Sequence, residues 1–200
     1  MEKLDLSKVD FLSSHEEISD FFKISPHRQL SQIALVGRSN AGKSSLINHL
    51  FNNKKLARVS KTPGKTKLLN FFKAKDRLFV DLPGYGYAKT MQSMRKQWGE
   101  TIERFFTENT KLECILFLLD IRRDPNEDDL VMHEWIVNKN IPCIYILTKS
   151  DKLSPKESSK REDEISKILS PEKSLSFVRY SVFSKHGRDH LIKLLKDKWA

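Results

Sequence analysis

Eight consecutive residues, Gly37, Arg38, Ser39, Asn40, Ala41, Gly42, Lys43 and Ser44, restrict this chain more than any other stretch of it. Their spacing, G-x-x-x-x-G-K-[ST], is that of a loop whose backbone N–H groups wrap a phosphate. Such a loop works between a strand and a helix: glycines allow the tight curl, and the helix N-terminus adds its positive end. The flanks meet that demand. An apolar run at residues 33–36 precedes the loop, and Leu46, Ile47, Leu50 and Phe51 follow at helical spacing. Lys43 is then expected at the β- and γ-phosphates of a nucleotide, with Ser44 ligating Mg²⁺ and Ser45 beside it.

The rest of the chain continues the alternation. Short apolar runs recur at residues 68–72, 78–80, 114–119, 141–147 and 177–180, as expected for strands covered on both faces. Helical stripes lie between them and after the last, and the polar stretch 154–164 reads as a solvated helix. This pattern predicts an α/β fold: a mainly parallel six-stranded sheet with one antiparallel edge strand and helices on both faces. Leu4, Phe11, Phe21 and Phe22 suffice to pack residues 1–27 onto that core as an extension, and 200 residues suit one domain.

Composition excludes several classes. With 38% apolar and 31% charged residues, the chain suits a soluble globular protein. No apolar run approaches the ~20 residues that span a bilayer, and residues 1–20 lack the apolar centre of a secretion signal. The two cysteines, Cys114 and Cys143, sit inside apolar runs and read as thiols in a reducing cytoplasm. The net charge of +10 is uneven: residues 52–77 hold nine basic residues against Asp76 alone, a tract that either attracts polyanions such as RNA or forms a solvated lysine-rich face.

Two further motifs follow the loop in order. Asp81-Leu82-Pro83-Gly84 closes an apolar run; a carboxylate there can hold Mg²⁺ through a water, and the Gly84 N–H can meet a γ-phosphate. Thr148-Lys149-Ser150-Asp151 closes another. A carboxylate at Asp151 accepts from guanine N1–H and the 2-amino group, which adenine lacks, while the Lys149 stem can lie over the base. After the final strand, Tyr180, Ser181 and Val182 are expected at the base through the backbone. In Ras-like enzymes a glutamine after D-x-x-G orients water; here Tyr85 holds that place, so slow hydrolysis is expected.

With these motifs in order, the chain resembles the EngB (YihA/YsxC) family of ribosome-biogenesis GTP-binding proteins, in the TrmE-Era-EngA-like class of Ras-like P-loop GTPases. The resemblance is carried by GRSNAGKSSLIN at 37–48, SKTPGKTKLLNFF at 60–72, DLPGYGYA at 81–88, LLDIRR at 118–123 and TKSDKL at 148–153. It implies an EngB-type G domain over 28–200. It also implies that Thr66 completes the Mg²⁺ shell and senses the γ-phosphate, with Gly64, Lys65, Lys67 and Leu68 lining the nucleotide. From the residues alone, Thr62 competes with Thr66 for that role. Asn40 matches the asparagine that resembles the K⁺ ligand of several bacterial GTPases. The family further implies a cytoplasmic GTP hydrolase that cycles between GTP and GDP; a monomer is expected. It would act on the large ribosomal subunit precursor and its rRNA, away from membranes, and be needed for normal cell division and septation.

Overall fold

Alternate residues of the central strands feed two separate cores, which is why their runs are apolar throughout. The computed structural model describes residues 6, 8–58, 68–86, 92–170 and 175–198. In chain order it contains β1 (Val9–His15), α1 (Ile18–Ile24), β2 (Ser31–Gly37), α2 (Lys43–Leu50), β3 (Leu69–Ala74) and β4 (Arg77–Asp81). There follow α3 (Gln92–Glu108), β5 (Leu112–Asp120), α4 (Glu127–Asn138), β6 (Cys143–Thr148), α5 (Pro155–Leu169), β7 (Phe177–Tyr180) and α6 (Lys185–Lys198). Ile33 and Leu35 of β2 join Leu46, Ile47, Leu191 and Leu195 beneath α2 and α6. Ala34 and Val36 join Phe21, Ile102, Phe105, Met132 and Ile165 beneath α1, α3, α4 and α5. Helices therefore cover both faces.

The sheet has seven strands in the order β1-β3-β4-β2-β5-β6-β7, one more than the apolar runs predict. The addition is β1, antiparallel to β3, which is itself antiparallel to β4; β2, β4, β5, β6 and β7 are parallel. The antiparallel strand expected at the edge thus lies one place inside it. Val9–His15 escaped notice because an edge strand is half covered and mixes polar with apolar residues. Its attachment is nonetheless firm. Phe11 meets Phe72 edge-on at 5.6 Å, and Ser14 Oγ donates to Asn70 Oδ1 at 2.6 Å. Phe21 of α1 stacks on Phe71 at 3.9 Å and is fully buried, a burial that contributes about 2–3 kcal/mol.

Parallel pairing brings the C-terminal ends of β2, β4, β5, β6 and β7 to one edge, where Gly37, Asp81, Asp120, Thr148 and Tyr180 stand. That crevice is where open α/β sheets bind ligands. The described part of the basic tract lies elsewhere. Lys54 lines an open groove with Lys8, Val9 and Asp10, and Val9 and Asp10 pair with Ala74 and Lys73 beside the β3–β4 turn. Lys54 and its neighbour Lys55 are exposed there, at the end of the sheet opposite Gly37, and Arg58 is exposed as well; Lys61, Lys65 and Lys67 lie outside the described residues. Cys114 and Cys143 form no disulfide, and no described helix is long and apolar enough to cross a membrane.

Candidate functional site

The loop 37–44 leaves β2 and turns into α2 through Gly42, whose φ of 102° is left-handed. Its N-cap, Gly42, has no side chain to cap it and no acidic residue occupies its first turn, an arrangement that suits an anion at its leading N–H groups. Lys43 Nζ donates to Gly37 O at 3.1 Å, so its ammonium lies folded back along its own loop. Burial pushes the Lys43 pKa down, with Asp81 opposing. Ser44 and Ser45 are half-buried in the first turn of α2.

Asp81 ends β4 at 6% exposure, and its Oδ1 has no hydrogen-bond partner among the described residues. Burial pushes its pKa up to about 6, against the pull of Lys43. Leu82 is anchored by its N–H to Leu35 O at 3.1 Å, and Pro83 leads to Gly84. A side chain at position 84 would meet Lys43 Nζ and Ser39 N at 2.9 Å each. Only glycine permits this approach of the two loops.

The base-side motif is tied to the same loop. The Thr148 hydroxyl lies 2.8 Å from Ala41 O and 3.1 Å from Leu119 O. Lys149, itself left-handed at φ 60°, donates to Asn40 O at 3.0 Å and to Asp120 Oδ2 at 2.9 Å. Ser150 opens a short helical turn over Ser150–Lys152, and Asp151 in it accepts from Ser181 Oγ at 2.8 Å. Lys152 Nζ stands 3.3 Å from the other Asp151 oxygen. Burial opposes ionisation of Asp151, but the Ser181 and Lys152 contacts together hold its pKa below the usual range. The Tyr180 side chain turns away into the core and meets His49 Nδ1 at 2.8 Å, leaving only its backbone on this side. Val182 is partly exposed.

The structure therefore brings Gly37 to Ser45, Asp81 to Gly84, Thr148 to Asp151 and Ser181 to one edge of the sheet. Leu68, half-buried, precedes β3; Thr62, Gly64, Lys65, Thr66 and Lys67 lie outside the described residues. Sequence reasoning missed Asp120 as a site residue. Its carboxylate takes Nε and Nη2 of Arg122 at 2.9 and 2.8 Å, besides Lys149. The available signal was an acidic residue closing an apolar run, as Asp81 does.

A phosphate loop, an acidic strand end and a T-K-x-D turn on such a sheet define a P-loop GTPase, an enzyme that hydrolyses GTP. The 50S ribosome-binding GTPase family matches residues 32–149. Over 188 residues, 94% of this chain and 93% of its relative, the sequence is 43% identical to "Probable GTP-binding protein EngB" of Clostridium beijerinckii. The chain belongs to the EngB family of GTP-binding proteins. Among solved structures, the crystal structure of a probable EngB protein superposes with a TM-score of 0.64 at 22% identity, covering 84% of this chain and 96% of that one. Era in complex with MgGDPNP and nucleotides 1506–1542 of 16S ribosomal RNA superposes with a TM-score of 0.66 at 26% identity, covering 85% and 57%.

Proposed function

We propose that this chain binds GTP and GDP with Mg²⁺ through these residues and uses slow hydrolysis as a switch in large-subunit assembly. The observation that carries the reading is Asp151, held by Ser181 and Lys152 on the same edge as the phosphate loop. Its carboxylate would take the two guanine donors, with the Lys149 stem on the base, Thr148 and Ser150 shaping the turn, and backbone groups of Tyr180, Ser181 and Val182 alongside. The loop from Gly37 to Ser44 would hold the phosphates, with Lys43 on the β- and γ-groups and Ser45 next to them.

The donor set suits Mg²⁺. Asp81 presents a buried oxygen without a partner among the described residues, and the Ser44 hydroxyl stands in the first turn of α2. Hard oxygen donors of this kind fit that ion when phosphate oxygens complete the shell. No cluster of three or more His, Cys, Asp or Glu offers a rival metal site among the described residues. Ser44, Asp81 through a water, and Thr66 would hold the ion, which when bound neutralises charge on the phosphates. Water attacks the γ-phosphorus, the bond to the bridging oxygen breaks, and GDP and phosphate leave. Lys43 and the Gly84 N–H stabilise the charge that shifts. Asn40 would ligate K⁺: it is exposed, and its side chain has no hydrogen-bond partner among the described residues.

Ribosome binding is supported by the matched family's description and by the rRNA bound to Era. Residues 1–27 would form an extension on a G domain of 28–200, in a cytoplasmic monomer whose loss impairs division and septation through failed assembly. The nucleotide reading is tested by titrating GTP, GDP and ATP, and xanthine nucleotides with Asp151→Asn. Guanine preference that moves toward xanthine supports it; equal wild-type affinity for ATP and GTP sinks it. Cosedimentation with large-subunit precursors should be salt-sensitive and weaken in a Lys54→Glu, Lys55→Glu, Arg58→Glu variant.

A further inference from the structure

Tyr85 follows the Asp81–Gly84 motif, yet its side chain does not face the phosphate loop. It is 4% exposed and shares an apolar cluster with Leu82, Phe106 and Met132. Its hydroxyl donates a 2.7 Å hydrogen bond to Asp129 Oδ1, 44 residues further along, in the first turn of α4. Asp129 is 2% exposed, and its Oδ2 accepts the Asn126 N–H at 3.0 Å in the capping box that starts the helix. Both carboxylate oxygens are thus engaged, one by the helix cap and one by Tyr85.

The main chain is gripped at the same place. Ser39 N–H donates to Tyr85 O at 2.8 Å, Ser39 Oγ lies 3.3 Å from Gly84 O, and Arg38 bridges to Tyr85 as an extension of the β2–β4 pairing. The next residue is hemmed in as well: a Cβ on Gly86 would stand 3.1 Å from Arg38 Nε and 3.5 Å from Asp128 Oδ2. A phenylalanine would pack equally well in an apolar cluster. A buried hydroxyl set on a buried carboxylate is costly unless the bond between them is kept. What that bond joins is the turn carrying Gly84 on one side and α4 on the other.

We propose that Tyr85 and Asp129 are a positioning pair for GTP: their hydrogen bond ties the Gly84 turn to α4 and so aims the Gly84 N–H at the γ-phosphate. The inference rests on the reading that Gly84 meets that phosphate. Neither residue touches the reacting atoms; both act through Gly84. GDP has no γ-phosphate, so the pair favours GTP selectively. Linkage makes the effect reciprocal: γ-phosphate bound at Gly84 tightens the start of α4.

The test uses the full chain with Mg²⁺, comparing GDP with a β,γ-imido GTP analogue in wild type, Tyr85→Phe and Asp129→Asn. Tyr85→Phe keeps the ring and its packing, so the fold should survive even where Asp129→Asn weakens the cap. The expected result is an analogue affinity lower by about 5- to 10-fold, GDP affinity changed by less than about 2-fold, and no further loss in the double variant. Hydrogen exchange at residues 127–130 should be slower with the analogue than with GDP in wild type, and the difference should vanish in Tyr85→Phe. Equal losses for both nucleotides, or none for either, overturn the pair. Wild-type protein that binds neither nucleotide overturns the underlying nucleotide reading instead.

Discussion

Two aspartates close the two strands that flank β2, and they live in opposite circumstances. Asp120, at the end of β5, accepts from Arg122 and Lys149; burial pushes its pKa up, but these bonds hold it well below the usual carboxylate range. Asp81, at the end of β4, keeps an oxygen without a described partner, and burial pushes it up to about 6. The base-side aspartate finds its partners within the chain, whereas the phosphate-side aspartate keeps one oxygen without a described partner. This division suits the proposed ligand: a base is recognised by donors and acceptors fixed beforehand, while a phosphate chain arrives with its own cation. Stability and binding should therefore respond in opposite ways on the two sides.

The largest effect is expected from Lys43→Ala. Losing a charge-assisted bond to phosphate should cost about 3 kcal/mol, or about 100-fold, in affinity for GTP. The nucleotide-free protein should melt no earlier, because a desolvated ammonium has been removed. Calorimetric titration with a parallel melting curve checks both; retained affinity would place the nucleotide elsewhere.

Next comes the pH response of Asp81. Its folded pKa of about 6 exceeds the ordinary aspartate value of 3.8, so the folded state binds the extra proton. Its contribution is fully present below the lower value and is lost as pH rises through about 6, a swing of at most about 3 kcal/mol. Without Mg²⁺ and nucleotide, wild type should lose stability relative to Asp81→Asn between pH 4 and pH 6. Denaturant midpoints across that range test this, and Mg·GDP should restore the wild type. Parallel pH curves would show that Asp81 is not the strained group.

Asp120→Asn should be somewhat milder and opposite in sign. Its depressed pKa gives stability that is present above the ordinary carboxylate range and lost as pH falls below it. At pH 7 the variant should lose about 2 kcal/mol, since Lys149 and Arg122 lose a charged acceptor. In acid the two proteins should converge. A variant equally destabilised at every pH would erase the contrast.

The smallest effect belongs to Phe183, 81% exposed with Lys152 Nζ 5.9 Å from its ring centroid. Phe183→Ala should change stability by less than about 0.5 kcal/mol and leave Asp151 bonded to Ser181. A guanine-specific loss of affinity would give Phe183 a part in the base side that its exposure argues against.

Much of this was legible because it is local. Six apolar runs marked six strands, and the phosphate loop, the Asp81 turn and the Asp151 turn each announced themselves within a few residues. β1 was not legible, since its reason for being extended is Phe72 and Asn70 on another strand. The basic tract read as one feature around Thr66. In space its described members Lys54 and Lys55 follow α2 to the far end of the sheet, because a helix after the phosphate loop runs back along the strands.

What the sequence by itself determined is the chemistry of short segments: glycines where a backbone must curl, a lysine and serine at a helix start, a carboxylate where guanine offers two donors. Those demands are met by neighbours in the chain, so spacing reveals them. What only the tertiary structure decided is which group meets which across the sheet. Asp120 finds Lys149 across 29 residues and Tyr85 finds Asp129 across 44, and the same edge leaves Asp81 Oδ1 without a described partner. The reason is that a buried charge or hydroxyl takes its character from whatever the fold sets against it, and that company is fixed by how strands, turns and helices pack together.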